Sequence, residues 1–498
     1  MTEVPLAPGE YRELISAALR EAAYADTRRP AAHNLFMPDA HRTALYVDNV
    51  VVPGGRGVGK TFWYRSLLDD RLREIAADEY RINRLRRVRV APGHGLDLCS
   101  ERYPETRVLR GLVEAGEDPY DIWYTVLLVS LGQEELRATT EWSDKVAWVR
   151  SHPGEAQRTL ERADREAREE NIVHLLLFDA LEHLHSDRTQ ADRLVAGMLH
   201  LALRMRFGTG SVRLKVFIRP DMLKSATELF ADASKLSSYA AELEWTRTDL
   251  YGLLFHALGN EDGDEETAGL ARRFRILTGG WNPESSDDEG ARHVAPLLLR
   301  NDAKSQETLF EEIAGPAMGR GSRKGKPYTW LPNHLMDGTG RISPRSFLKA
   351  LSEAAEASRT HHSAHEHALH YEAIGRGVQE ASRLRVAEVA EDTPWVERAI
   401  APLSGLRVPI AEPVVTDAWR DADLPSVLAE DSARYARADK PSEVRTGPRR
   451  PDDLPRLVDE LIALGVMTRR NDGRLDLPDV YRIAFGLGRN GGVPRPKP

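Results

Sequence analysis

Gly54-Gly55-Arg56-Gly57-Val58-Gly59-Lys60-Thr61 satisfies the pattern G-x-x-x-x-G-K-[ST] at every fixed position. Ala44 to Val52 precedes it, a largely apolar and β-branched stretch that reads as a buried strand. Phe62 to Ile75 follows it, with apolar residues at roughly helical spacing and no Pro or Gly. Strand, glycine loop and helix together aim backbone N–H groups and a helix N-terminus at a phosphate chain. Residues Gly54 to Thr61, with Phe62 behind them, then form the binding loop. Lys60 reaches the β- and γ-phosphates and the Thr61 hydroxyl ligates Mg²⁺. An accidental glycine-rich turn is the bland alternative, and it explains neither flank. The implied ligand is a nucleoside triphosphate with Mg²⁺. ATP is preferred by default, because no base-specificity motif of the GTPase kind follows the strands.

A chain of 498 residues is too long for one core and predicts two to four domains. With 41% hydrophobic and 29% charged residues it has the composition of an ordinary soluble protein. Its longest apolar runs, such as Trp123 to Leu131, reach about half of the ~20 residues a membrane span needs. The start, Met-Thr-Glu-Val-Pro-Leu, lacks the basic and apolar regions of a signal peptide. Cys99 is the single cysteine, which excludes an internal disulfide framework and fits a cytoplasmic setting. A net charge of -8 argues against a general polyanion binder, while leaving room for a local basic surface.

Alternation of strand and helix organises the first half. Tyr11 to Ala25 reads as an amphipathic helix, and Pro30 to Pro38 either lies beside the base or packs on the core. Arg87 to Ala91 predicts a second strand, ended by Pro92-Gly93. Helical sequence follows, including Asp118 to Leu131 and Glu155 to Glu170, whose charges read as a solvated helix face. Ile172 to Phe178 is a nearly continuous apolar run, as expected of a central parallel strand. Arg188 to Arg206 returns as helix, Val212 to Ile218 as strand, Leu243-Glu244-Trp245 as a last strand and Leu250 to Leu258 as helix. The economical reading is an α/β domain, a doubly wound parallel sheet with its ligand at the carboxyl ends of the strands. It spans residues 1–260, with a helical insertion at about 100–170.

The β signal stops near Glu261, and residues 261–385 read as a helical lid domain. Residues 386–498 read as a linker (Arg437 to Pro451) and a C-terminal domain. There Leu454 to Leu464 is helical with Gly465 as its stop. Asn471-Asp472-Gly473 signals a hairpin and Pro478 opens another helix, the order of a winged helix.

Four further residues carry candidate chemistry. Asp179, ending the apolar strand, is placed to hold Mg²⁺ through water. Glu182 then either faces the γ-phosphate and polarises the attacking water, or is a surface glutamate opening a helix. Arg219 directly follows the next strand. It either stabilises charge in transfer or pairs with Asp221 or Asp179. Arg345 sits in the first turn of a helix, where the macrodipole disfavours a cation. It needs an anionic partner, the nucleotide or a neighbouring carboxylate.

The loop Gly54–Thr61, the strand end Leu175-Leu176-Leu177-Phe178-Asp179-x-x-Glu182 and Val216-Phe217-Ile218-Arg219-Pro220 resemble the signal-transduction ATPases with numerous domains (STAND) and related AAA+-like ATPases. Pro344-Arg345 is similar to the sensor of their helical lid, and a C-terminal winged helix recurs there. The resemblance covers Ala44 to Leu351 and, more loosely, the tail. It implies an ATP-driven conformational switch, often oligomeric, that assembles with a partner protein in a bacterial regulatory or antiviral defence complex. Two departures stand out. The interval from Lys60 to Asp179 is longer than a compact domain of this type requires, and related KAP-type ATPases place membrane helices there, which this chain lacks. No repeat array or effector domain is fused to it.

A DNA-binding ATPase is the alternative, using the winged helix, the basic loop around Arg320, Arg323 and Lys324, and the tail Arg489 to Lys497. That loop reads equally as a flexible lid loop. A third reading keeps the nucleotide as a structural ligand with Glu182 idle. His361, His362, His365, His367 and His370 suggest a metal through the pairs His361/His365 and His367/His370. Without cysteine, and with Glu366 the nearest acid, the sequence weighs against it.

Overall fold

The computed structural model describes residues 5–20, 29–284, 292–321, 324–435 and 447–489. Four parallel strands, β1 (Val51–Pro53), β2 (Val88–His94), β3 (Val173–Phe178) and β4 (Val212–Ile218), pair in the spatial order β1-β4-β3-β2. Residues 240–243 add a fifth parallel line beside β1, through Ala241 N–H to Val51 O (3.0 Å) and Leu243 N–H to Pro53 O (2.9 Å). β4, which enters between β1 and β3, is buried along its whole length.

Helices cover both faces. α1 (Lys60–Leu68) and α2 (Asp70–Glu79) pack on one face around Trp63, Leu67 and Ala76. α3 (Pro119–Ser130) and α4 (Arg188–Gly208) pack on the other, around Trp123, Leu127, Leu194 and Met198. The stretch expected as an insertion therefore supplies one layer of the domain: Trp142, Val146 and Leu160 share that core.

Several expected elements differ, each for a local reason. Ala44 to Val52 is a strand only from Val51. Thr43–Leu45 forms a 3₁₀ turn, and the carbonyls of Ala44, Tyr46 and Asn49 converge on the buried Lys215 ammonium at 2.7, 3.0 and 2.7 Å. Ala44, Leu45 and Val47 are buried here as a plug tied to β4. The helix after the glycine loop breaks at Asp69, whose carboxylate caps α2 by accepting Leu72 N–H (2.9 Å). β2 runs through Pro92-Gly93 to His94. A Cβ at Gly93 would sit 2.6 Å from the Phe178 ring, so the glycine serves close strand packing there. Glu244 and Trp245 lie beyond the paired stretch 240–243. The β signal also returns after residue 261, as a two-stranded antiparallel hairpin pairing Asn282–Glu284 with Arg292–Val294.

A second core joins α5 (Arg247–Gly259), α6 (Pro344–His361), α7 (Tyr371–Asp392) and the N-terminal helix Pro8–Ala18. Residues expected within 1–260 thus pack with the helices of residues 261–392, and the boundary drawn at 385 falls inside one continuous helix. A third core unites Trp395, Ile400, Val415 and Trp419 with Leu457, Leu461, Leu475 and Tyr481. Here helix Leu454–Ala463 ends at Gly465 (φ +73°), and strands Thr468–Arg469 and Leu475–Asp476 form a hairpin edged by Ile410. Among the described residues no helix is long and apolar enough to cross a membrane.

Candidate nucleotide site

Gly59 N-caps α1 with φ +101°, and Gly57 has φ +73°, left-handed conformations that favour glycine. With these turns the loop leaves β1 and wraps back so that α1 begins at Lys60. The Lys60 ammonium folds into the loop and donates to the carbonyls of Gly54 (3.1 Å) and Gly55 (2.9 Å). Burial lowers its pKa, against the pull of Glu182 and Asp179. Those two carboxylates sit at the carboxyl end of β3, within electrostatic reach of Lys60.

Asp179 is 1% exposed. Burial first, and Glu182 second, push its pKa up to about 6, opposed by a hydrogen bond from the Thr61 hydroxyl and by Lys60. Its Oδ2 is buried with no protein partner. A buried orphan carboxylate oxygen beside a threonine hydroxyl is the donor set expected of a Mg²⁺ site in which waters complete the shell. Burial also raises Glu182, but Lys60, His183 and Arg219 outweigh it and hold the group below the usual glutamate range. Glu182 is thus ionised at neutral pH.

The turn joining the two carboxylates is strained. Ala180 occupies the left-handed region (φ 59°, ψ 38°), unusual for a residue with a Cβ and costing about 1–2 kcal/mol. His94, at the end of β2, clamps it from both sides: Asp179 N–H donates to His94 O (3.1 Å), and His94 Nδ1–H donates to Asp179 O (2.9 Å). Burial pushes the His94 pKa down to about 4, so the ring is neutral. The carbonyl acceptor fixes the proton on Nδ1.

The two arginines take different positions. Arg219 makes a two-point pair with Asp221 (3.0 and 3.2 Å), one of the alternatives the sequence left open, and its charge still acts on Lys60 and Glu182. Arg345, in the first turn of α6, lines the same cavity as the glycine loop. Its neighbour Ser343 crowds Gly57, where an added Cβ would lie 2.6 Å from Ser343 Oγ. Arg345 Nη1 pairs with Glu388 on α7 at 2.8 Å. The carboxylate required by its helix position is therefore present.

Sequence reasoning missed what lies beyond these motifs. A cavity of about 510 Å³ opens over the loop, and its far end is walled by His33, Asn34, Phe36, Trp245 and His256. Phe36 and Trp245 stack (centroids 6.2 Å, 24° between planes), and Trp245 Nε1–H donates to Val58 O at 2.9 Å. The Pro30 to Pro38 stretch therefore does both things its sequence allowed: Leu35 and Met37 enter the core while His33, Asn34 and Phe36 face the cavity. Arg385 and Glu388 were missed as well, since mid-helix charged residues carry no motif.

The basic loop divides. Arg320 and Lys324 are exposed, Arg323 lies outside the described residues, and Lys326 is held by Glu307 (2.8 Å) and Glu311 (3.0 Å). Arg489 is folded onto Asp476 and Leu477, and the tail after it lies outside the described residues.

These features define an α/β domain carrying a P-loop, followed by helical and mixed C-terminal regions. No family model matches the chain, and no curated protein matches it. Among solved structures it is similar to the ORC2 protein of Aeropyrum pernix in its ADPNP–ADP complexes, at 14% identity, covering 87% of this chain and 84% of that one, with a TM-score of 0.36. A likeness that loose leaves the chemistry to be argued from the residues themselves.

Proposed function

We propose that this chain is an ATP-binding and ATP-hydrolysing switch of the AAA+/STAND-like kind, whose nucleotide state governs how its lid and C-terminal domain sit on the phosphate loop and hence its assembly with a partner protein. The observation that carries this reading is one cavity shared by Lys60, Thr61, Glu182 and Arg345, three from the α/β domain and one from the lid side. When Mg²⁺ is bound, Thr61 and Asp179 hold it and it neutralises phosphate charge. Lys60 and the loop amides hold the phosphate chain. Glu182, ionised and facing the cavity, orients the attacking water and takes its proton. Arg219 and Arg345 respond to the γ-phosphate, and the Phe36–Trp245 wall takes the base.

A contact that exists only with the γ-phosphate supplies the differential binding a switch requires. Here the lid side already touches the loop through Ser343 and Arg385, so loss of that phosphate has a short route outward. We read the unit from Trp395 to Arg489 as winged-helix-like, with Ile410 bridging to Leu475 at the edge of the hairpin. Its surface does not favour the DNA alternative. Arg469, Arg470 and Arg474 hold Glu412, Asp476 and Asp472, and helix Leu454–Ala463 exposes Asp459 beside Arg456.

Turnover by purified protein, wild type against Glu182→Gln, with and without duplex DNA, tests the proposal. Turnover lost in the variant while ATP still binds is the expected result. Absent wild-type turnover with tight binding would favour the structural-nucleotide reading, and DNA stimulation would favour the alternative.

A further inference from the structure

Five of the ten residues 361–370 are histidine, and the fold gathers three of their rings at the turn between α6 and α7. His362 caps the end of α6, His370 precedes α7, and Glu372 lies in the first turn of α7. The rings of His362 and His370 stack at 3.7 Å, His365 meets His370 edge-on at 4.7 Å, and His362 Nε2 lies 3.8 Å from Glu372 Oε2. One ligand atom each from His362, His370 and Glu372 falls within 4.8 Å of the others.

We propose that this turn is a binding site for a first-row divalent cation of the zinc type, with His362, His370 and Glu372 as ligands and a fourth position beside His365. Two imidazoles and a carboxylate form a donor set that zinc accepts, with bonds of about 2.0–2.2 Å. Ligand atoms in such a site stand roughly 3.3 Å apart, a spacing reached from the present one by small side-chain rotations. These pairings differ from those the sequence suggested. His367 turns away to Glu312 O (3.1 Å) and His361 is exposed, whereas His362 and His370 meet because the turn folds back on itself.

The backbone under the site is held in place. Arg12, 4% exposed, donates to the carbonyls of Ala368 (2.8 Å) and Ser363 (3.0 Å) from the N-terminal helix. His370 N–H donates to Ser358 Oγ (3.0 Å) and Leu369 N–H to Ile313 O (2.9 Å). The amide of Glu372 reaches His370 Nδ1 at 3.3 Å, a long bond that keeps the ring beside its own carboxylate. An ion here would pin the α6–α7 hairpin at the end opposite Arg345 and Glu388.

The test is a titration of the chelator-treated full chain with Co²⁺ in the absence of nucleotide, followed by visible absorption, with Zn²⁺ as competitor. The expected result is one ion per chain, d–d bands of tetrahedral intensity and a rise in Tm with Zn²⁺. The double variant His362→Ala/His370→Ala should bind at least about tenfold more weakly, while His361→Ala/His367→Ala keeps wild-type affinity. Metal-free Tm of each variant checks that it folds. Equal affinity in the two double variants, or no saturable binding by the wild type, overturns the site. Since the residues lie at the far end of the hairpin, nucleotide affinity should be the same in all three proteins.

Discussion

Arg385 donates Nη1–H to the backbone carbonyl of Arg56 at 3.0 Å, joining the middle of α7 directly to the phosphate loop. The same guanidinium pairs with Glu388 (3.2 Å) and donates Nε–H to the Tyr481 hydroxyl (3.0 Å), so one buried side chain spans the glycine loop, α7 and the C-terminal core. Breaking it leaves the Arg56 carbonyl and part of the Glu388 charge uncompensated. Arg385→Met should lower stability by about 3 kcal/mol, read from urea unfolding. It should also reduce hydrogen-exchange protection at the amides of Leu464 to Met467 and in α7. Unchanged protection there would mean that packing alone holds the C-terminal region in place.

Asp179 gives a pH signature with a definite sign. Its native pKa of about 6 exceeds the unfolded value of 3.8, so the native state binds the extra proton between those limits. Without Mg²⁺, stability therefore falls as pH rises from about 4 to 6, and the cost is fully present above 6, on the order of 3 kcal/mol. Asp179→Asn should be more stable than wild type at pH 8 for that reason. Mg²⁺ needs the carboxylate. Mg-dependent nucleotide affinity should weaken about tenfold per pH unit below 6 and be flat above. A fluorescent ATP analogue titrated across pH 5–8 reads this directly, and the variant should lack the dependence.

The His94 clamp predicts a split between binding and turnover. His94→Leu removes the Nδ1–H that fixes the Asp179 carbonyl, so the strained Ala180 turn relaxes and Glu182 loses its aim. Turnover should fall at least about tenfold with ATP affinity changed less than about twofold. His94→Asn, whose amide N–H can donate to the same carbonyl, should recover much of the loss. Ala180→Gly should raise stability by up to about 1 kcal/mol, since glycine adopts that conformation without a Cβ clash. Equal turnover in His94→Leu and wild type would make the clamp purely structural.

The parts legible in sequence were those whose determinants are local. β3 announced itself as an apolar run broken only by His174, β4 as a short β-branched and apolar stretch around Arg213 and Lys215, and the glycine loop as spaced residue types with a steric purpose. Ala44 to Val52 looked like a strand because burial, not strand pairing, is what apolar residues report. The three carbonyls gathered by Lys215 are visible only once β4 lies beside them. Pro92-Gly93 looked like a stop, yet β2 continues through it with a shift of register, at the place where it passes close to Phe178. The wiring between the loop and α7 was least legible, since Arg385 and Arg56 are 329 positions apart. An arginine in mid-helix has the same local appearance whether it faces water or a phosphate loop.

Arg345 offers the most direct test of the proposed switch, because Glu388 and a bound phosphate would draw on one guanidinium. The pair is largely buried, with side chains 10% and 4% exposed, so its Coulomb energy is not screened as a surface pair would be. Glu388→Gln keeps the shape and an acceptor oxygen while removing the charge that balances Arg345. Triphosphate affinity should then rise roughly tenfold, about 1.4 kcal/mol, with a smaller rise for ADP. In an Arg345→Gln background the same substitution should gain nothing, since the competing cation is gone. Calorimetric titration of the four proteins with a non-hydrolysable ATP analogue closes that cycle. A gain that survives without Arg345 would show that Glu388 acts on the phosphates through Arg385 or through the field of the site as a whole. A loss of affinity in the single variant would show that the carboxylate positions Arg345 for phosphate rather than competing for it.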